Sequence, residues 1–91
     1  MNSPIARRFS VSGRVQGVNY RRFAATEAAA LDISGYARNL DDGSVEVLAE
    51  GSAINLDLLA QKLSKGPPAA RVDKMIFEET MFTGHKGFSI R

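Results

Sequence analysis

The chain contains no cysteine, which excludes disulfide bridges, thiolate nucleophiles and cysteine-ligated metals. It has one histidine, His85, far along the chain, so a serine-type triad has no base to place beside a nucleophile. No apolar run approaches the length of a membrane span, and no signal-peptide core follows the N-terminus. A cytoplasmic protein with no membrane partner is the expectation. Repeats, linkers and low-complexity tracts are also missing. What remains is 91 residues, one domain over 1–91 with one core, near the small end of what folds unaided. Hydrophobic content of 44% and charged content of 24% are ordinary for a globular chain.

Charge of one sign is scarce overall, with a formal net charge of +2. Its distribution is less even. Residues 1–40 carry six arginines against Glu27 and Asp32, and acids prevail afterwards. Such a bias suits a small anionic ligand better than nucleic acid, which wants a broad basic stripe.

After a lead-in over Met1–Ile5, Phe9, Val11 and Val15 alternate with Ser10, Ser12 and Arg14, the period-2 pattern of a half-buried strand. Tyr20–Leu31 reads as an amphipathic helix through Tyr20, Phe23, Ala24, Ala28 and Leu31. Ile33–Leu40 reads as a second strand, and Asp41-Asp42-Gly43 as a hairpin turn. Val45, Val47 and Ala49 alternate with Ser44, Glu46 and Glu50 in a third. Ser52 is a fitting N-cap for a second helix carrying Leu56, Leu59 and Leu63, which Gly66-Pro67-Pro68 stops. Arg71–Glu79 is a fourth strand, and Phe88 and Ile90 suggest a short last one.

The order β-α-β-β-α-β folds as two right-handed βαβ units, with two helices on one face of an antiparallel sheet. In that α+β ferredoxin-like topology the third strand lies between the first and second and runs against both. The loop after strand one and the turn after strand two therefore share one end of the sheet. Asn39 is brought beside Gly13–Arg21.

Gly13-Arg14-Val15-Gln16-Gly17-Val18-Asn19-Tyr20-Arg21 joins a strand to a helix through a loop with two glycines. That arrangement gathers main-chain N–H groups into an anion cradle. Arg21 and Arg22 stand in the helix's first turn, where the macrodipole disfavours positive charge, and a bound anion repairs the mismatch. The loop lacks the Gly-Lys-Ser/Thr ending of a nucleotide-binding loop. By itself it could equally be a tight turn with solvated arginines. Arg14, Arg22 and Arg38 read as a basic rim that steers anions, Arg7 and Arg8 as ordinary edge charges, and His85 as a loop histidine. Asp41, Asp42 and Glu46 could mimic a metal cluster, though hairpin chemistry accounts for the first two.

A site made of main-chain amides, Arg21 and Asn39 is too poor for covalent or tuned acid–base catalysis. It suits phosphoryl transfer to water, where positioning and charge stabilisation do most of the work. Amides and guanidinium hold the phosphoryl oxygens, and Asn39, both donor and acceptor, orients a water. The leaving group must then depart without a general acid. A carboxylate can, since its conjugate acid has a pKa of about 4. An acyl phosphate meets that condition.

Val11-Ser12-Gly13-Arg14-Val15-Gln16-Gly17-Val18-Asn19-Tyr20-Arg21 closely resembles the first signature of the acylphosphatase family. Gly35-Tyr36-Ala37-Arg38-Asn39, continuing through Gly43-Ser44-Val45 to Gly51, resembles its second. The resemblance covers essentially the whole chain. It implies a ferredoxin-like α/β sandwich and hydrolysis of acyl phosphates with neither metal nor other cofactor. It places the phosphate-binding arginine on Arg21 and the water-orienting asparagine on Asn39, with the loop Arg14, Val15, Gln16, Gly17, Val18, Asn19, Tyr20 and Arg21 around the phosphate. It also implies that a bound phosphoryl oxygen helps take the water's proton. Two departures stand out. Tyr20 replaces the family's usual Phe or Met, so its hydroxyl needs a partner if the ring is buried. Many members also carry an aromatic residue one position beyond Arg91.

The partners that follow are an acyl phosphate substrate and inorganic phosphate or sulfate as a competing anion, on a monomer. Two rivals come from other classes. Sheets of this topology also bind RNA through aromatic residues on the first and third strands, but the third strand here has none and carries Glu46 and Glu50. The other rival is a non-catalytic anion-binding domain on the same fold, since fold does not fix function.

Overall fold

A computed structural model describes residues 3–91. Its elements are β1 (Ile5–Arg14), α1 (Tyr20–Ala30), β2 (Ser34–Asn39), β3 (Val45–Gly51), α2 (Ala53–Lys65), β4 (Arg71–Thr80) and β5 (Phe88–Ile90). Of the expected lead-in, Met1 and Asn2 lie outside the described residues, while Ile5 already belongs to β1, in register with Gly51.

The strands form one sheet in the order β4-β1-β3-β2-β5. β1 runs antiparallel to β3 and β4, and β2 antiparallel to β3. β5 is the expected short addition; it runs parallel to β2 and makes the sheet mixed. Both helices pack on one face. Tyr20, Ala24 and Ala28 of α1 and Leu56, Leu59 and Leu63 of α2 meet Phe9, Val11, Val45, Val47 and Ala49. The i, i+4 and i, i+3 spacings explain why each helix offers one apolar stripe. Alanine in α1 lets that helix lie close to the sheet. Ser52 caps α2, its hydroxyl accepting from the Asn55 N–H at 3.2 Å, and Gly66 ends it at φ 73°.

β3 departs from the half-buried pattern its alternation suggests, because Glu46, Leu48 and Glu50 are buried as well as Val45, Val47 and Ala49. Glu46 is enclosed by Arg8, Arg38 and the Tyr36 hydroxyl, and Glu50 by the connection from β4 to β5. Those strands are opposite edges, separated by four inter-strand steps, or roughly 19 Å. Residues 81–87 reach at most about 25 Å when extended, so they cross the helix-free face almost straight. Glu50 anchors them, accepting from the main-chain N–H of Thr83 at 2.7 Å and of His85 at 2.6 Å.

Arg7 and Arg8 are not edge charges, since β1 lies between β4 and β3. Arg7 faces the helices, where its guanidinium meets Asp57 of α2 at 2.6 Å and lies over the Phe77 ring. Arg8, on the other face, stands 3.3 Å from Glu46 and 3.6 Å from Glu78. Among the described residues, no helix is long and apolar enough to cross a membrane.

Candidate active site

β1 and β2 point the same way, so the loop leaving β1 and the hairpin leaving β2 meet at one end of the sheet. Their approach has local causes. Gly13 takes φ +127°, and a Cβ there would collide with the Arg71 carbonyl and lie 2.7 Å from the Asp73 N. The register of β1 against β4 shifts between Ser12 and Gly13. Gly13 therefore serves the close approach of two strands. Gly17 is different: it has φ +75° and open space where a Cβ would stand. Asn19 follows in the left-handed region at φ 68°, a conformation asparagine tolerates better than most residues.

α1 begins without a side-chain cap and without an acid in its first turn. Its first N–H groups have no intrahelical partner, and a positive macrodipole end stands there with Arg21 and Arg22 beside it. Among the described residues, no side-chain carboxylate forms an ion pair with either arginine. The Arg21 guanidinium, half-buried, donates through Nη1 to the main-chain oxygen of Arg91. One of its five donors is thus fixed, and the planar fork has others to offer.

The hairpin after β2 is built by Asp42, whose Oδ1 accepts from the Ser44 N–H at 2.9 Å and from the Ser44 hydroxyl at 2.6 Å. Those two hydrogen bonds hold the Asp42 carboxyl below its ordinary range. Gly43 supplies φ +92°, and the Leu40 N–H closes the turn on the Ser44 carbonyl at 2.9 Å. Asn39, the last residue of β2, is exposed just before this turn.

A cleft of about 220 Å³ lies where the two segments meet. Val15, Gly17, Asn19, Tyr20, Arg21 and Arg22 line it from the loop and first helical turn, Asn39 from β2 and Ile90 from β5. Of the residues singled out from sequence, the structure thus brings Arg21 and Asn39 to one cleft with most of the loop. Arg14, Gln16 and Val18 do not line it. Arg14 pairs in register with Arg71 at the end of β1, Val18 packs against the core, and the Gln16 side chain turns to the hairpin. Arg38 is not a free rim charge, because its Nε lies 2.6 Å from Glu46 Oε1. Tyr36 and Phe88 pack: the Tyr36 hydroxyl donates to Glu46 and the Arg91 guanidinium covers its ring, while Phe88 lies against the core.

The sequence reading missed Ile90 and Arg91. Each reaches the site only through the parallel pairing of β5 with β2, which no local pattern announces. His85 sits in the crossing connection, 3.3 Å from Glu50, and does not line the cleft. No group of three or more His, Cys, Asp or Glu side chains able to hold a metal ion is found among the described residues.

Known proteins are similar to this chain in sequence and fold. The family model described as Acylphosphatase matches residues 7–90. The chain is 49% identical over 86 residues to an acylphosphatase of Solibacter usitatus, an alignment covering 94% of this chain and 90% of that one. Its fold is similar to an acylphosphatase structure from Coxiella burnetii, with a TM-score of 0.94, 33% identity and coverage of 99% of this chain and 94% of that one. It is similar as well to the crystal structure of acylphosphatase from Bacillus subtilis, with a TM-score of 0.93, 38% identity and coverage of 96% and 98%. A match from the third residue of β1 to the end of β5, shared with relatives over nearly their full length, shows that the chain belongs to the acylphosphatase family, hydrolases of acyl phosphates.

Proposed function

We propose that the chain hydrolyses acyl phosphates by direct attack of water on phosphorus, without a metal ion or other cofactor. The main-chain amides of the cleft-lining loop residues Val15, Gly17, Asn19, Tyr20 and Arg21, together with the Arg21 guanidinium, hold the phosphoryl oxygens. They tighten as charge redistributes in the transition state. Asn39 orients the attacking water in line through its amide, which can accept from the water and donate elsewhere. The water oxygen forms its bond to phosphorus as the bond from phosphorus to the acyl oxygen breaks. The water's proton passes to a phosphoryl oxygen, and the acyl group leaves as a carboxylate that needs no proton. The products are a carboxylate and inorganic phosphate. Inorganic phosphate or sulfate competes for the same amides, and the chain acts as a cytoplasmic monomer.

The supporting observation is the convergence of Arg21, Asn39 and an uncapped helix start on one cleft. Turnover of benzoyl phosphate, followed before and after exhaustive chelation, tests the reading. An unchanged rate is expected. A rate abolished by chelation and restored by magnesium would overturn the metal-free mechanism, and absence of turnover under both conditions would favour a non-catalytic anion-binding domain.

A further inference from the structure

The two halves of the proposed site stand on different loops, so something must set their separation. Among the described residues, the side-chain hydrogen bonds that join these loops come from Gln16. Its Nε2 donates to the Leu40 carbonyl at 2.8 Å and to the Ser44 carbonyl at 2.9 Å. The same two carbonyls close the hairpin, Leu40 O accepting from the Gly43 N–H at 3.1 Å and Ser44 O from the Leu40 N–H at 2.9 Å. A carbonyl oxygen has two lone pairs and a side-chain amide nitrogen two protons. Every lone pair of the two carbonyls is therefore used, and both Gln16 protons are spent. Facing two acceptors, the side chain can present only its nitrogen end.

Position in the chain gives this tie its meaning. Gln16 immediately precedes Gly17 of the cleft, and Leu40 immediately follows Asn39. The bond spans the gap one residue away from the groups that act on phosphate and on water. We infer that Gln16 is a positioning residue for hydrolysis: it holds the Asn39 hairpin at a fixed separation from the phosphoryl-binding loop. The inference rests on the water-orienting role proposed for Asn39. The Gln16 side chain is turned to the hairpin and does not line the cleft. Its loss should leave phosphate binding to the amides and Arg21 while spoiling the line of attack.

Gln16→Met keeps the length of the arm and removes both donors. The expected result is a fall in kcat of roughly 10- to 100-fold, the scale of a misplacement of about 1 Å. The inhibition constant of inorganic phosphate should stay within about twofold. A residue that merely stabilises the fold would not split the two constants this way. The decisive measurement is the same substitution made in Asn39→Ala. If Gln16 acts through Asn39, it lowers kcat by less than about twofold in that background. An equal loss in both backgrounds, or no loss in the parent, overturns the inference while leaving Asn39 its role. An Asn39→Ala chain with undiminished kcat overturns both together. Should Gln16→Met melt below the assay temperature, Gln16→Asn, which keeps the amide on a shorter arm, is read by the same cycle.

Discussion

The Tyr20 hydroxyl, in the first turn of α1, donates to the Leu63 carbonyl in the last turn of α2 at 2.6 Å. The last carbonyls of a helix lack intrahelical partners, and Gly66 already satisfies Lys62. Tyr20 satisfies the next one, joining the two helices where the ring is fully buried. Burial pushes the phenol well above its ordinary range, so it is a protonated donor at neutral pH. Tyr20→Phe leaves a buried carbonyl without this partner and should cost about 1–3 kcal/mol. Urea melts check it: a midpoint lowered at unchanged slope is expected, and an unchanged midpoint would mean water replaces the hydroxyl.

Arg21 and Asn39 should fail differently. In the proposed mechanism Arg21→Ala removes the charged fork assigned to phosphoryl oxygen, so KM and the inhibition constant of phosphate should rise by roughly 100-fold or more. Asn39→Ala should lower kcat by about 100- to 1000-fold with phosphate inhibition retained. Steady-state kinetics on benzoyl phosphate with phosphate as inhibitor separates the two. If Asn39→Ala keeps its kcat, its water-orienting role must be withdrawn.

The two glycines flanking the loop should also part ways. Gly13→Ala drives a methyl into the β4 backbone, a main-chain collision that nothing flexible can relieve. More than about 2 kcal/mol of stability should be lost. Gly17→Ala meets open space and costs only the left-handed conformation, about 1–2 kcal/mol. Its methyl instead stands where the anion approaches. Denaturation should therefore report Gly13→Ala most strongly, and phosphate inhibition Gly17→Ala.

Acid should act through Glu50. Burial raises this carboxyl, but hydrogen bonds from Thr83 and His85 outweigh it and leave the group below the ordinary glutamate range. A carboxylate depressed in the fold binds fewer protons than in the unfolded chain. Its stabilisation is therefore full above about pH 4.5 and is lost as pH falls through the folded value. Glu50→Gln should be less stable than the parent at pH 7, with the gap closing as pH drops from 6 to 3. The protection of the Thr83 and His85 amides against hydrogen exchange, relative to the unfolded-chain rate at each pH, should fall over the same acid range. Parallel pH–stability curves would deny the anchor its charge.

The element order and the meeting of two remote loops were legible because they follow from local pattern and handed connections. Val45, Val47 and Ala49 alternate, Ser52 caps, Asp42-Gly43 turns, and right-handed crossovers leave few topologies. Arg7 and Arg8 were misread as ordinary edge charges, because nothing in the local pattern announces Asp57, Glu46 and Glu78 beside them. Glu50 gave no sign of burial, since what covers it arrives from residues 81–87. The contact from Arg21 to Arg91 was equally silent. Such features depend on pairings across the whole chain, which alternation within a segment does not encode.

In the order β4-β1-β3-β2-β5, only β2 and β3 are neighbours both in sequence and in space. Every other pairing closes a long loop before it gains a contact, which slows folding relative to chains rich in local contacts. The segment carrying Gln16 and Arg21 cannot face Asn39 until β3 has docked along β1. During refolding, catalytic competence therefore trails the hairpin and emerges with the slowest step of assembly.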